Sequence, residues 1–327
     1  MRRLGMVVIA TALLFAAFSV PIPILYAYLP GPVRDVEQLV EVSEARTYSS
    51  EGSLYMTTVS VEKVTLAEAV LSLIDPHTAL VSREQVTGGR SLRELQRSQR
   101  VQMAASKQHA REVALSALGL GEPSGDGARI VGIVDGSPAD GVLAEGDVIA
   151  SIDDRAVETT CDVGEAIDAV DIGEAIELGL RRDGDLRTVV LETAPNPSDR
   201  TASYVGVAME DVNYRFDPGV EVDFETGRVA GPSAGLMFTL ALFDRLTPED
   251  LTGGRRIAGT GTIDCDGGVG PIGGIEQKVA GAEAEGAQVF LAPIANAEDA
   301  EAAAGEMEIV PVSTFDDALD YLEGSAP

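Results

Sequence analysis

Two short stretches hold the residue types that could do chemistry. The first is Gly231-Pro232-Ser233-Ala234-Gly235, which opens an almost wholly apolar run to Phe243. The second is Arg256-Ile-Ala-Gly-Thr260-Gly-Thr-Ile263, a turn over Asp264–Gly268, and then a helical pattern that carries Lys278. A serine hydroxyl becomes a useful nucleophile only when a neighbouring base takes its proton, and a neutral lysine amine can be that base. Lys278 is one of three lysines, with Lys63 and Lys107, in a chain that otherwise uses arginine for positive charge. On its helix Ile275, Lys278, Val279 and Ala282 fall at i, i+3, i+4 and i+7 and share one face. Glu276, Gln277, Glu283 and Glu285 lie mostly off that face. Burial lowers a lysine pKa and leaves the amine neutral near working pH. The competing reading is a lysine that snorkels its ammonium into water.

The elements that must position these groups follow from pattern. Residues 220–224 read as a strand and the run after Ser233 as a helix, so Ser233 sits at a strand-to-helix junction. Backbone N–H groups at a helix start are unpaired and electropositive, which suits a developing oxyanion. Small residues at 231, 234 and 235 let a substrate backbone approach. An ordinary serine N-cap would occupy the same place, so Ser233 gains its meaning only with Lys278.

Composition removes other classes. With 24 basic and 53 acidic side chains the formal net charge is −29, the wrong sign for binding nucleic acid. Two His and two Cys, widely spaced, cannot build a Cys/His zinc cluster. No Gly-Lys pair occurs, so there is no P-loop within these residues. No cofactor or metal is expected. His77 lies in a loop and His109 in a helical pattern, and neither is expected to act chemically. With 45% apolar residues the chain is globular.

Met1-Arg2-Arg3 precedes Leu4 to Val33, a stretch without a charged residue and long enough to span a bilayer as a helix. The two arginines place the N-terminus in the cytoplasm and everything after about residue 33 outside it. A cleaved signal peptide is the alternative. Pro21 and Pro23 would kink the outer end of such a helix. Residues 34–118 read as a connecting α/β module, with a strand over 55–61 and helices over 65–74 and 91–118. A Cys161–Cys265 disulfide is permissible outside the cytoplasm, but two separate buried thiols are the plainer expectation.

Residues 119–196 carry strands over 129–134, 148–152, 175–181 and 187–192, a helix over 161–170, and the turns Gly136-Ser137-Pro138-Ala139 and Gly146-Asp147. This pattern resembles a PDZ domain of the bacterial protease-associated kind. The resemblance implies that a peptide adds as a strand to a sheet edge, its C-terminal carboxylate held by backbone amides. Leu118-Gly119-Leu120-Gly121 is either the loop that holds that carboxylate or a helix C-cap.

Gly231-Pro-Ser233-Ala-Gly235 and Gly259-Thr260-Gly261…Gly270-Pro-Ile-Gly273-Gly274-Ile-x-x-Lys278 resemble the proteolytic domain of Lon-type serine proteases. That domain would span 200–325. The arrangement as a whole is similar to membrane-anchored PDZ–Lon proteases: an anchor over 1–33, a connecting module, a PDZ domain and an α+β proteolytic domain. The fold class is therefore multidomain, α+β and α/β. The resemblance implies a Ser–Lys dyad with Ser233 as nucleophile and Lys278 as general base. It implies that Thr260 orients the lysine amine. It also implies polypeptide substrates, cleavage outside the cytoplasm without ATP, and a ring of six. Ala230 departs from the pattern, since many Lon proteases have Asp before Gly-Pro-Ser. Cys265 interrupts the turn before the lysine helix.

Two other functions compete. A non-catalytic anchored PDZ adaptor with a Lon-like assembly domain would not need to keep the Ser–Lys pair. A Ser-His-Asp hydrolase fits the string Gly231-x-Ser233-x-Gly235, but no His follows Ser233.

Overall fold

The computed structural model describes residues 20–324 apart from 73, 76, 198, 199 and 228. Contacts divide the chain into two compact units, one of residues up to Ala114 together with those from Val220 onward, the other Leu115–Gly219.

The first unit begins with strand β1 (Pro21–Pro30), β2 (Arg34–Asp35), β3 (Val40–Ser43), β4 (Ser53–Met56) and β5 (Val59–Thr65). Helix α1 (Leu66–Leu71), β6 (Ala79–Ser82), α2 (Arg83–Thr87) and the long α3 (Leu92–Ala117) follow. The expected membrane helix over 4–33 is corrected here. From Pro21 the chain is a strand, central in the sheet β5-β1-β6. A helix there would have to hold Pro21 and Pro23 in its interior, whereas a strand tolerates prolines at its start. Alternation completes the case, since Leu25, Ala27 and Leu29 pack with Val64, Ala69 and Leu80 on one face. Among the described residues no helix is long and apolar enough to cross a membrane. The part of that expectation on residues 4–19 lies outside the described residues.

The second unit holds β7 (Ala128–Ile133), β8 (Val148–Ile152), β9 (Arg155–Ala156), α4 (Thr160–Asp168), β10 (Ala175–Arg182) and β11 (Asp185–Glu192). It ends with β12 (Ala194–Pro195), β13 (Ser203–Tyr204) and β14 (Val207–Asp211). The main sheet runs β11-β10-β8-β7-β14, with β9 on β8. Its core gathers Ile130, Leu143, Ile149, Ile152, Val163, Ile176 and Leu178. The Gly146-Asp147 turn has a physical reason. Buried Asp147 accepts from Ala144 N at 2.9 Å and pairs with Arg182 at 2.6 Å. The Arg182 guanidinium holds its carboxyl below the usual range. At Leu118–Gly121 the cap reading holds: Gly119 N donates to Ser116 O and Leu120 N to Leu115 O, closing α3. Leu120 N–H is thereby spent on the helix end.

The chain returns to the first unit with β15 (Glu221–Phe224), α5 (Gly235–Leu246), β16 (Arg256–Gly259), β17 (Thr262–Ile263), β18 (Val269–Gly270) and α6 (Ile275–Glu285). It closes with β19 (Val289–Pro293), α7 (Ala297–Ala303), β20 (Glu308–Val312) and α8 (Phe315–Gly324). One sheet, β2-β4-β16-β19-β20, joins both chain segments. β4, β16, β19 and β20 are parallel, and all five residues of β19 are buried, as parallel strands covered on both faces should be. β3 pairs with β15. Residues expected as a connecting module thus supply strands to the fold that carries Ser233 and Lys278. The strand expected over 55–61 is two strands broken at Thr57-Thr58, because β4 joins this sheet and β5 pairs with β1. Neither Cys161 nor Cys265 is a free thiol; both are disulfide-bonded, which corrects the expectation of separate thiols.

One buried acid in this unit carries a pH consequence. Asp244, 2% exposed on α5, accepts from the Ser50 hydroxyl and from Leu251 N. Burial first, then the neighbouring Glu37 carboxyl, push it up to about 7. The folded chain therefore keeps a proton that the unfolded chain loses near pH 4. The stability this contributes is complete below that pH and is lost as pH rises through about 7. Asp244→Asn is expected to flatten the fall of melting temperature between pH 4 and 8 and to be the more stable form at pH 8. Melts with the same slope as the parent chain would refute it.

Candidate active site

Ser233 lies in the turn before α5, and Gly235, the first residue of that helix, is where a close approach decides the residue type. A Cβ there would meet Ile263 N and the Ser106 hydroxyl, each at 2.8 Å. The strand expected over 256–263 breaks into β16 and β17 at Thr260-Gly261. Gly261 has φ +153°, and a Cβ on it would meet Val269 at 2.7 Å. The break matters. It lets Gly261 N donate to Ser233 O at 2.9 Å while Leu236 N donates to Gly261 O at 3.3 Å. Thr260 Oγ1 donates to the same Ser233 carbonyl at 2.9 Å.

Lys278 sits on the first turn of α6. Its Nζ lies 2.9 Å from Ser233 Oγ and 2.7 Å from Thr260 Oγ1. Thus all three residues singled out by sequence meet in one place, although Ser233 and Lys278 are 45 residues apart. Lys278 is 3% exposed and Thr260 fully buried. Burial alone pushes the amine down to about 7. Among the described residues that line the adjoining cleft, where Ala230 stands, there is no carboxylate to restore the charge. Because the Thr260 proton is directed at Ser233 O, its oxygen can only accept from Lys278. One N–H of a neutral amine is then committed to Thr260, leaving the lone pair for the Ser233 proton.

The cleft has a volume of about 590 Å³. Tyr28 of β1, Val59 and Val61 of β5, and Ile272 line it beside Ser233 and Lys278. Ile272 is clamped by the Asn296 side chain, which accepts from Ile272 N at 2.9 Å and donates to Ile272 O at 3.1 Å. α6 is more deeply set than its stripe implied: Gln277, expected off the apolar face, is 2% exposed. β1 explains this, because it packs on a second side of α6, with Gly31 and Val33 against Gly281.

Sequence reasoning missed the contribution of α3. Ser106 Oγ donates to Pro232 O at 3.0 Å, Lys107 Nζ to Phe224 O, and His109 Nδ1 lies 3.2 Å from Ile263 O. His109 thus makes a structural contact. His77 does not line the cleft.

Two parts of the chain match known families. Residues 176–323 match the model of the Lon protease (S16) C-terminal proteolytic domain, and residues 99–193 match that of a PDZ domain. The chain therefore carries a PDZ domain and a Lon-type proteolytic domain. The Lon protease of Chloroflexus aggregans is 31% identical over 146 residues, 43% of this chain and 18% of that protein. Lon protease 2 of Bacillus subtilis is 31% identical over 119 residues, 36% and 20% of the two chains. The chain spans about a fifth of the length of these relatives. The PDZ domain of an SdrC-like protein from Listeria monocytogenes is 19% identical and covers 26% of this chain and 87% of its own, with a TM-score of 0.24.

Proposed function

We propose that the chain is an endopeptidase that cleaves extended or unfolded polypeptides with Ser233 as nucleophile and Lys278 as general base. The observation that carries this is a buried amine 2.9 Å from the serine hydroxyl, with a pKa lowered to about 7. Ser233 Oγ attacks the peptide carbonyl carbon as its proton passes to Lys278 Nζ, and the carbonyl oxygen becomes an oxyanion facing the amide of Ser233. The C–N bond then breaks, and the ammonium gives its proton to the leaving amine. Water, deprotonated by the same amine, hydrolyses the ester and regenerates both groups. Thr260 holds the amine in line. The lysine must be neutral, so kcat/KM is expected to rise with pH through about 7 and level off above it. A profile already flat from pH 5 upward would exclude Lys278 as the base.

Cleavage is expected to need no nucleotide, since these residues contain no P-loop, and the PDZ domain would present chain ends to the cleft. Action outside the cytoplasm fits the disulfide-bonded cysteines. The test is incubation of the full chain with an unfolded protein and no nucleotide, then with a serine-reactive phosphonate. Cleavage and a mass increment on Ser233 are expected. Cleavage that persists at the parent rate in Ser233→Ala would overturn the assignment.

A further inference from the structure

Helix α3 lies outside both sequence stretches that carry the site, yet it reaches behind the nucleophile. A serine within a helix commonly bonds a carbonyl of its own preceding turn. Ser106, 3% exposed, instead donates to Pro232 O, 126 residues away. The Pro232 carbonyl also accepts from Gly235 N at 3.2 Å, so it is held from two sides. That carbonyl and the Ser233 N–H belong to one peptide group. The chain has no cis peptide bond among the described residues. In a trans peptide the C=O and N–H point in opposite directions. A carbonyl drawn toward α3 therefore turns the Ser233 N–H away from α3, and Ser233 lines the cleft. No described group accepts from this N–H. Lys107 and His109, bonded to the carbonyls of Phe224 and Ile263, fix the same stretch of α3 against the strands flanking the turn.

From this geometry we infer that Ser106 is a positioning residue that aims the Ser233 amide at the oxyanion of the reacting carbonyl. This rests on the reading of Ser233 as nucleophile. The hydroxyl touches neither substrate nor the reacting atoms. It acts through one peptide plane. An amide pre-aimed at developing charge favours the transition state over the bound substrate, so its loss should appear in kcat and not in KM.

The test uses the full chain with Ser106→Ala and Ser106→Thr. In Ser106→Ala, kcat for an unfolded polypeptide is expected to fall about 10-fold at unchanged KM. Affinity for a peptide boronate, whose adduct on Ser233 carries the tetrahedral oxygen, is expected to fall by the same factor. Ser106→Thr keeps the hydroxyl and is expected to retain most of the parent kcat. Unchanged kcat and boronate affinity in Ser106→Ala, or a rise in KM alone, would overturn the inference while leaving Ser233 as nucleophile untouched. Loss of activity in both variants with parallel loss of melting temperature would also overturn it, because the role would then be purely structural. Parent-level cleavage by Ser233→Ala would instead remove the nucleophile reading and this inference together.

Discussion

Replacing Lys278 with methionine should abolish peptide cleavage and, at neutral pH, stabilise the protein. The first effect is large because no other base lines the cleft among the described residues. Loss of the base in serine hydrolases costs on the order of 10⁴-fold or more in kcat. Ser233→Ala should cost about as much, and the double variant little beyond either single one, since two groups that act as a unit are not additive. The second effect has the opposite sign to most core substitutions. The amine is pushed from 10.5 down to about 7 by burial, a penalty on the order of 5 kcal/mol for the charged form. Methionine removes that penalty at similar volume. It also removes the hydrogen bonds to Ser233 and Thr260, each worth about 1 kcal/mol, so a net gain of a few kcal/mol is expected. Between pH 7 and 10.5 the unfolded chain binds one more proton than the folded chain, so the parent gains stability as pH rises through that window. The advantage of Lys278→Met is thus greatest at pH 7 or below and shrinks toward pH 10. Melts at pH 7 and pH 10 would show this, and a variant less stable than the parent at pH 7 would refute it.

Ser233 and Lys278 could be read from sequence because their signals are local, whereas Thr260 came only with the family resemblance. A serine before an apolar helix and a lone lysine among apolar helix positions each declare themselves within about ten residues, while the strand break at Thr260-Gly261 does not. What stayed hidden depends on which distant segments pack together. The apolar run at 21–30 reads alike as a membrane helix or a buried strand, and only its pairing with β5 and β6 decides. β4 belongs beside β16 through a parallel pairing of residues about 200 apart, and no local pattern encodes that partner. Gln277 looked like a solvent position because one apolar stripe accounts for one covered face, whereas α6 is covered on two. Asp244 and Ser106 are single polar residues in helices, a pattern that usually means solvent. Each gains its meaning from a carboxyl or carbonyl brought in from elsewhere.

Thr260→Val tests the finest element of the proposed site. Valine matches threonine in shape and lacks the oxygen. Without it, Lys278 loses its acceptor at 2.7 Å, and Ser233 O loses the donor at 2.9 Å while keeping Gly261 N. The nucleophile turn should therefore stay in place while the amine is freed to rotate. An amine that no longer aims its lone pair at Ser233 Oγ should cost ~10²-fold in kcat. The charged amine also loses a hydrogen bond, and with burial unchanged its pKa should drop further below 7. The acid limb of kcat/KM is then expected to move to lower pH in Thr260→Val even as the plateau falls. Thr260→Ser keeps the oxygen and should restore both limb and plateau. A plateau loss with the limb unmoved would mean that Thr260 acts only through the Ser233 carbonyl, and a shift to higher pH would contradict a threonine that accepts from Lys278.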